Sequence, residues 1–355
     1  TDQMFRTGVT QNYKLVFSKG SEGTQTYVSA NYMGDEGVID KNSYERYSAK
    51  ANIKISMAKW LDVTVDLNAS HGVGKGIGGL EMSGYNPLWI AFNSSPTMTM
   101  TDKNGYYNWD PYGTIQANAY GIIAASESER RRDVFSGHID LKFNIIKGLT
   151  FTSSNGVDYY NNTSYSFTPQ SVNGAGKNSM GNSNLQRMLL QSSNNITYNH
   201  TWNDKHYLTV TGVWEATKST IRNMGISGSS LQAESVGWWD VKNAVTRDAT
   251  NGYSDWALLS GVGRVIYNYD NRYMLTGTFR ADGSSRFTND KWGYFPSVAV
   301  AWTASNESFM ESTRDLISNL KIRASYGVIG NQDIDPYSTL AILNTTTTYF
   351  GNSSG

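Results

Sequence analysis

The sequence predicts an all-β protein, in which about twelve strands belong to a transmembrane antiparallel β-barrel with long extracellular loops and short periplasmic turns. Apolar residues recur at every second position in segment after segment, which is the period of a strand. The connections between these segments alternate between short turns and long polar loops. No stretch approaches the roughly 18 consecutive apolar residues of a membrane-spanning helix, so strands would have to make any membrane crossing.

The alternation is clearest over residues 47–69, where two segments of period two flank a short break and predict a hairpin. In this hairpin we expect Ile53 and Val65 to face lipid, and Lys54 and Asp66 to face the lumen. The same pattern predicts twelve strands in all, over residues 13–17, 27–32, 47–55, 61–69, 135–145, 149–159, 188–202, 207–216, 256–269, 273–280, 297–302 and 320–328. The spacing of residues 309–317 predicts a short helix in the last of the connections between them.

Long loops are expected after every even-numbered strand, at about residues 34–44, 71–131, 161–185, 220–254, 282–291 and from 330 onward. A soluble β-sandwich has no reason to place all its long loops at one edge, whereas an outer-membrane barrel does. A propeller would need a repeated blade motif, and the sequence has none. Aromatic residues beside the short turns are typical of an interfacial girdle: Trp60, Trp202, Tyr207, Tyr267, Tyr269 and Tyr273.

Composition excludes several classes of function. The 30 Lys and Arg residues balance the 30 Asp and Glu residues, so no nucleic-acid partner is implied. The absence of Cys excludes disulfides, thiolate metal sites and Cys nucleophiles. The chain starts with neither a basic nor an apolar signal segment, so we expect any signal peptide to lie outside it.

No motif predicts catalysis or a cofactor. The glycine-rich run 72–79 lacks the spacing of a phosphate-binding loop and is expected to lie in an outer loop. The four histidines lack metal-ligand spacing. The carboxylates of the polar faces could be imagined as a hydrolase pair, but a lumen wall explains them more simply. These carboxylates include Asp62, Asp66, Asp140 and Asp158.

Aromatic residues in the long loops are the candidate ligand-binding residues: Trp89, Tyr106, Tyr107, Trp109, Trp238 and Trp239. Exposed aromatic rings stack on sugars or bury peptide side chains, and they often mark recognition surfaces. Trp109, with Tyr106 and Tyr107 beside it, is the preferred contact. The alternative is that these rings pack one loop against another and hold a cap together.

Several segments together resemble the SusC/RagA family of TonB-linked outer-membrane transporters. The segments that carry this resemblance are FRTGVTQNY at 5–13, ERYSA at 45–49, FRADGSSRF at 279–287, WGYFPS at 292–297, and LKIRASYG at 320–327 leading to GNQD at 330–333. They occur in order along nearly the whole chain, and their combination is far more specific than any one of them.

The resemblance implies a barrel of about 22 strands closed by an N-terminal plug. Residues 1–355 are then expected to be a partial TonB-dependent transporter barrel, covering the second to about the thirteenth strand, with the plug domain and the C-terminal strands absent from this chain. Such a piece would have two unpaired sheet edges in lipid, so we expect a partial sequence rather than a complete working protein.

The resemblance also implies a function. It predicts TonB-dependent import of oligosaccharides or oligopeptides across the Gram-negative outer membrane, together with a SusD-like surface lipoprotein as a lid. TonB, ExbB and ExbD would act through the missing N-terminal region, and outer-membrane lipid would surround the barrel. No enzymatic activity and no cofactor are expected. The alternative is a passive porin-like or adhesive outer-membrane barrel, and a soluble β-sandwich enzyme is a third possibility.

Overall fold

The computed structural model describes residues 4–76, 87–93, 99–102, 105–108, 118–172, 176–313 and 315–340. Within them, twelve strands form one antiparallel sheet, in which each strand pairs with the next strand along the sequence. The strands are β1 (Val9–Ser21), β2 (Thr24–Glu36), β3 (Ser43–Ala58), β4 (Leu61–Lys75), β5 (Glu127–Ile146), β6 (Leu149–Thr168), β7 (Ser179–Trp202), β8 (His206–Leu231), β9 (Ala244–Tyr269), β10 (Tyr273–Ser284), β11 (Trp292–Thr303) and β12 (Lys321–Gly327). The predicted number of strands is confirmed.

Among the described residues, helices occur only in the connections between strands. Two α-helices, α1 (Pro87–Asn93) and α2 (Ala119–Ala125), lie between β4 and β5. Short 3-10 helices cover Glu234–Val236, Val241–Asn243, Ala304–Asn306 and Ser308–Thr313. The helix expected over residues 309–317 is thus a 3-10 helix that ends at Thr313. In the described part of the chain, no helix is both long enough and apolar enough to span a membrane.

The strands extend further toward the long loops than the sequence predicts. For example, β7 starts at Ser179 rather than near residue 188, and β9 starts at Ala244 rather than near residue 256. Alternation of apolar and polar residues fades where water contacts both faces of a sheet, but the backbone pairing continues there. The predicted loop lengths were therefore wrong: the connection after β2 is only residues 37–42, and the one after β6 is only residues 169–178.

The connection between β11 and β12 departs from the pattern of short turns. It covers residues 304–320, on the edge where the other connections are two or three residues long. Two of the three two-residue turns contain a glycine with positive φ, at Gly23 and Gly148, which is a backbone conformation that such hairpins favour. In the turn after β9, Asp270 and Asn271 adopt positive φ instead, and these are the residue types that tolerate it best after glycine.

The chain forms two compact units. The first contains Thr1–Tyr198 and Thr217–Asp255, and the second contains Asn199–Ala216 and Trp256–Gly355.

In the first unit, strand register determines which side chains share a face. Ile53 pairs with Val65, which in turn pairs with Ile139, so these three lie on one apolar face. Asn52 pairs with Asp66 on the opposite, polar face, where the Asn52 amide donates a hydrogen bond to the Asp66 carboxylate. The register therefore confirms that Ile53 and Val65 share a face.

Aromatic rows border the apolar face of the first unit at both ends. Near the long loops, the rings of Tyr13 and Tyr47 lie 6.2 Å and 5.0 Å from the ring of Tyr32. Near the short turns, Trp60 stacks on Phe143 with ring centroids 6.1 Å apart. Two aromatic rows separated by aliphatic residues are typical of a strand wall that crosses a bilayer.

In the second unit, an aromatic cluster surrounds His206 at the short-turn end of the strands. The imidazole lies 5.0 Å from the Trp202 ring and is nearly parallel to it, while its Nδ1 is 2.7 Å from the Tyr267 hydroxyl oxygen. Tyr207 follows His206 directly in β8, so its side chain lies on the opposite face of the strand. The predicted girdle is present here, but Tyr207 lies outside it and donates instead to the backbone oxygen of Asp204.

A polar cluster around Glu307 holds the connection between β11 and β12 against the turn between β9 and β10. The Glu307 carboxylate accepts hydrogen bonds from the Tyr273 hydroxyl at 2.6 Å, from the Trp302 indole at 3.0 Å and from the Arg272 guanidinium at 3.0 Å. Arg272 also pairs with Asp270 at 2.7 Å. The Tyr273 hydrogen bond above all, with those of Trp302 and Arg272, lowers the pKa of Glu307 from its usual value.

Candidate functional site

The loops after β4 and β8 in the first unit contain the predicted ligand-binding residues, and together with the loop after β6 they fold around two small apolar cores. The first core lies beside the two α-helices and includes Met4, Ile90, Ala119, Ile122, Ile123 and Val172. Ile90 is completely buried, which contributes roughly 1.5–3 kcal/mol for such a side chain. Asn118 caps α2 by accepting a hydrogen bond from the Gly121 backbone N–H at 2.9 Å. This part of the long loop is therefore an ordered structure with its own core.

Tyr107 packs against this first core. Its ring meets the Tyr120 ring edge-on at 6.2 Å, and its backbone N–H donates to the Ser171 oxygen at 2.8 Å. A side chain at Gly121 would collide with the Tyr107 ring, because a Cβ there would lie 2.4 Å from the Tyr107 Cγ. For Tyr107 the geometry matches the alternative interpretation, in which the ring packs one loop against another.

The other candidates of the long loop are placed differently. Tyr106 is held in a backbone turn, where its N–H donates to the Asp102 carboxylate at 2.9 Å. Trp89 lies on α1 with 36% of its surface exposed, and its backbone oxygen accepts from the Asn93 amide at 2.7 Å. Trp109, the preferred contact in the sequence, lies outside the described residues.

The second core joins the loop after β6 to the loop after β8. Asn178 is buried, and its side-chain amide donates to the Leu231 oxygen at 3.0 Å and to the Glu234 carboxylate at 2.8 Å. The same Glu234 oxygen accepts from the Gln170 backbone N–H at 2.6 Å. The apolar part of this core consists of Phe167, Met180, Leu231 and Ala244.

Trp238 and Trp239 lie at the edge of the second core and form an aromatic step with Tyr165. The Tyr165 ring lies 5.8 Å from Trp238 and 5.7 Å from Trp239, and the Arg131 guanidinium covers it at 5.4 Å. Trp238 packs against the core, and its buried indole N–H has no hydrogen-bond partner among the described residues. Trp239, by contrast, is 69% exposed. Its ring is therefore held on one side by aromatic neighbours and open to a ligand on the other.

Sequence reasoning identified Trp238 and Trp239 as neighbours but missed Tyr165, Asn178 and Glu234. Tyr165 lies beyond the expected end of its strand, in a stretch where the apolar alternation has faded. Asn178 and Glu234 act through contacts between residues 56 positions apart, which leave no local pattern in a single sequence. No signal in this chain alone would have identified the pair.

The glycine-rich run starts in a strand rather than in an outer loop, which corrects the expectation for residues 72–75, while residues 77–79 lie outside the described part of the chain. Gly72 and Gly74 lie in β4, where a Cβ at Gly72 would come within 2.9 Å of the Tyr44 hydroxyl. The backbone at these positions is therefore covered by the Tyr44 side chain. Among the described residues, no group of three or more His, Asp or Glu side chains is arranged to hold a metal ion.

No family model matches the chain. It is similar to TonB-dependent receptor P3 of Formosa agariphila, with 28% identity over 348 residues that cover 96% of this chain and 35% of that protein. It is also similar to TonB-dependent receptor SusC of Bacteroides thetaiotaomicron, with 26% identity over 385 residues that cover 97% of this chain and 36% of that protein. The chain thus spans about a third of the length of the curated relatives that it matches.

Solved structures share the fold. The RagAB peptide importer in its 'closed-closed' state superimposes with a TM-score of 0.79 at 21% identity, over 99% of this chain and 40% of that one. The ferric citrate transporter FecA superimposes with a TM-score of 0.51 at 8% identity, over 84% of this chain and 40% of that one.

These similarities confirm the predicted fold class and location. The chain has the strands of a transmembrane antiparallel β-barrel of the Gram-negative outer membrane, and its relatives are receptors and transporters. Alternate side chains of each strand in such a wall face lipid and lumen. The apolar face of Ile53 and Val65 is therefore assigned to lipid, and the polar face of Asn52 and Asp66 to the lumen.

Proposed function

We propose, on the premise that this chain is a relative of the TonB-dependent receptors, that it forms part of the barrel of an active importer of oligosaccharides or oligopeptides. Residues 1–355 supply barrel strands and loops, and the rest of the full-length protein supplies the plug and further strands. The observation that carries the proposal is the strand wall with one apolar and one polar face, bearing ordered loops at a single edge.

The loops favour a selective importer over a passive channel. A porin-like channel needs only an open lumen, whereas these loops form two cores and hold Trp239 exposed against Tyr165. Tyr165 pairs with Glu129 on the face that Arg131 also occupies. Trp239 is therefore presented above the membrane on the outward side of the strands, at the edge that a lid would cover, where a ring stacks on a sugar or on a peptide side chain. The similarity to a peptide importer and to SusC supports cargo of oligomeric size.

The partners follow from the same proposal. A SusD-like surface lipoprotein covers the loop edge as a lid, and cargo is held between the lid, the loops and the plug. TonB, powered by ExbB and ExbD, pulls on the N-terminal region of the full-length protein to admit the cargo. The barrel residues bind and guide cargo without changing it chemically.

Cells that carry the full-length gene test this proposal. We expect growth on at least one oligosaccharide or oligopeptide of a defined panel to require the gene, and to stop when the TonB-contacting segment is deleted at unchanged surface abundance. The lid lipoprotein should co-purify with the transporter in detergent. Uptake that persists without the segment would instead support the passive barrel.

A further inference from the structure

Charged residues are unevenly distributed along the polar face of β3 to β7. Strand register aligns the residues of this face into rows that run across the five strands. The three rows next to the long loops contain four arginines and no Asp or Glu: Arg46, Arg130, Arg132 and Arg187. The four rows toward the short turns contain three lysines, Lys50, Lys54 and Lys142, and four carboxylates, Asp62, Asp66, Asp140 and Asp158. The loop end of this face is thus strongly positive, while its other end is nearly balanced.

On the opposite face of the same strands, the basic residues near the long loops are paired with carboxylates. There, Arg131 pairs with Glu129 at 2.6 Å, and Lys75 lies 4.0 Å from the same carboxylate. His71 pairs with Asp133 at 2.6 Å. Within the described residues, by contrast, none of the four arginines of the polar face has a carboxylate within 4.0 Å.

We call Arg46, Arg130, Arg132 and Arg187 the arginine wall. All four side chains are exposed. Neighbouring strands lie about 4.8 Å apart, and alternate residues of one strand lie about 6.7 Å apart. Arg46 and Arg187 are separated by four strands and one row, so their backbones are roughly 20 Å apart across the sheet. That distance matches a segment of a few sugar or amino-acid units.

Neutral groups beside the arginine wall also suit a polar ligand. The Arg132 guanidinium lies over the Tyr160 ring at 5.7 Å from its centroid, which restricts its orientation. In the row of Arg132, the buried side-chain oxygen of Asn162 has no hydrogen-bond partner among the described residues. Asp248 of β9 lines the same cavity as Arg130, and Asp35 of β2 pairs with Tyr44 next to Arg46. The positive potential is therefore expected to be highest near Arg132 and Arg187.

We propose that the arginine wall is a subsite for cargo that carries carboxylates, so that the importer selects acidic oligomers. This inference rests on the proposed function and specifies its substrate class. Guanidinium groups bind carboxylates through two parallel hydrogen bonds, a geometry that lysine does not offer. A surface lined by one sign of charge also raises the local concentration of ligands of the opposite charge.

The test uses the full-length transporter, purified in detergent with its lid. The probes are fluorescently labelled hexamers of galacturonic acid and of glutamic acid, and their neutral counterparts are maltohexaose and hexaglutamine. At low ionic strength we expect the transporter to bind at least one acidic hexamer about tenfold more tightly than its neutral counterpart. Binding of the galacturonic acid hexamer would indicate a glycan importer, and binding of the glutamic acid hexamer would indicate a peptide importer.

Replacing the arginine wall in Arg46→Gln, Arg130→Gln, Arg132→Gln and Arg187→Gln together should remove the preference for the acidic hexamer. The matched control combines Lys50→Gln, Lys54→Gln and Lys142→Gln. It removes three positive charges from the four rows toward the short turns and should preserve the preference for the acidic hexamer. If the fourfold variant does not assemble, the double variant Arg132→Gln and Arg187→Gln should reduce the preference by an intermediate factor.

Three outcomes would overturn the inference: equal affinity for acidic and neutral hexamers, no binding of either acidic hexamer at low ionic strength, or a preference that survives loss of the wall. None of these measurements depends on TonB. Failure of the proposed function, seen as uptake without the TonB-contacting segment, would therefore be distinguishable from failure of this inference.

Discussion

At the scale of single residues, the period of two predicted well which side chains share a face, because successive residues of a strand point to opposite sides of the sheet. Ile53 and Val65 share a face because they are directly paired, and the alternation alone was sufficient to predict it. The residues that fix the loops were not predictable, since Asn178 and Glu234 bond each other across distant segments. The arginine wall becomes visible only once strand register aligns residues from separate strands.

The first prediction tests this facing with one side chain placed on each face. Ile53→Arg should sharply reduce the folded barrel in the outer membrane, because Arg at the lipid-facing midplane costs about 2–4 kcal/mol. Asn52→Arg introduces the same group one position away, on the face where Asp66 lies, and should assemble normally. Lys54→Ala should also be tolerated. The measurement is the yield of heat-modifiable barrel, and equal yields for the two arginine variants would refute the assigned faces.

A second prediction concerns Glu307, whose lowered pKa links it to stability. A carboxyl group with a depressed pKa in the folded state stabilises that state fully above its unfolded pKa, and this stabilisation is lost as the pH falls through the folded value. Glu307→Gln should therefore lower the unfolding temperature of the full-length barrel at pH 7, and the difference from wild type should shrink in acid below the ordinary carboxyl range of roughly 4–5.

The control for Glu307 is Glu311→Gln, on the exposed side of the next 3-10 helix, which should leave the unfolding temperature unchanged at both pH values. If the difference in unfolding temperature between Glu307→Gln and wild type stayed constant from pH 7 into the acid range, the hydrogen bonds of Glu307 would stabilise the barrel whether or not its carboxyl group is charged.

At the scale of elements, the loop after β6 connects the two loop cores. It contributes Val172 to the first core, and through Asn178 and Gln170 it is bonded to Glu234 in the loop after β8. The strands and their order were predictable from alternation, but this loop arrangement was not, because its contacts have no regular spacing. The same reason explains why the predicted strands ended too early.

A third prediction follows for this connecting loop. Asn178→Ala leaves the buried backbone N–H and C=O of Leu231 without their partner, which typically costs about 1–3 kcal/mol for each unsatisfied group. We expect the loops to become sensitive to protease on intact cells while the barrel still assembles. Asn223→Ala, at an exposed position of β8, should leave the loops resistant. Equal resistance of both variants would show that Asn178 does not hold the loops together.

A fourth prediction separates binding from packing at the aromatic step. Trp239→Ala removes the exposed ring and should weaken cargo binding several-fold at normal surface abundance, consistent with about 0.5–1.5 kcal/mol for a stacked aromatic. Trp238→Ala removes the ring that packs on the second core, so it should increase protease sensitivity of the loops as well. Unchanged affinity of the Trp239 variant would assign this ring to contact with the lid.

At the scale of the whole molecule, chemical labelling should distinguish the two faces of the strands, because residues 1–355 contain no Cys and any Cys elsewhere in the full-length protein can be replaced by Ser beforehand. The single substitutions Ser48→Cys and Lys50→Cys should give a protein that reacts with a water-soluble maleimide in permeabilised cells, whereas Ala49→Cys and Ala51→Cys should not. The four positions alternate along β3, so only a wall with one wet and one lipid-covered face gives this pattern. Uniform labelling of all four would indicate a strand with water on both sides.

The first loop core also limits how a recognition surface of this kind can be exchanged between transporters. Its buried residues come from three separate stretches of chain, represented by Met4, Ile90 with Ile122, and Val172. A chimera that received only residues 76–126 would carry Ile90 into a foreign barrel without its neighbours from the other two stretches. We expect such a single-loop graft to misfold at the surface. A graft that also transfers residues 4–8 and 169–178 should keep the core intact. New specificity would therefore be acquired by moving three segments at once.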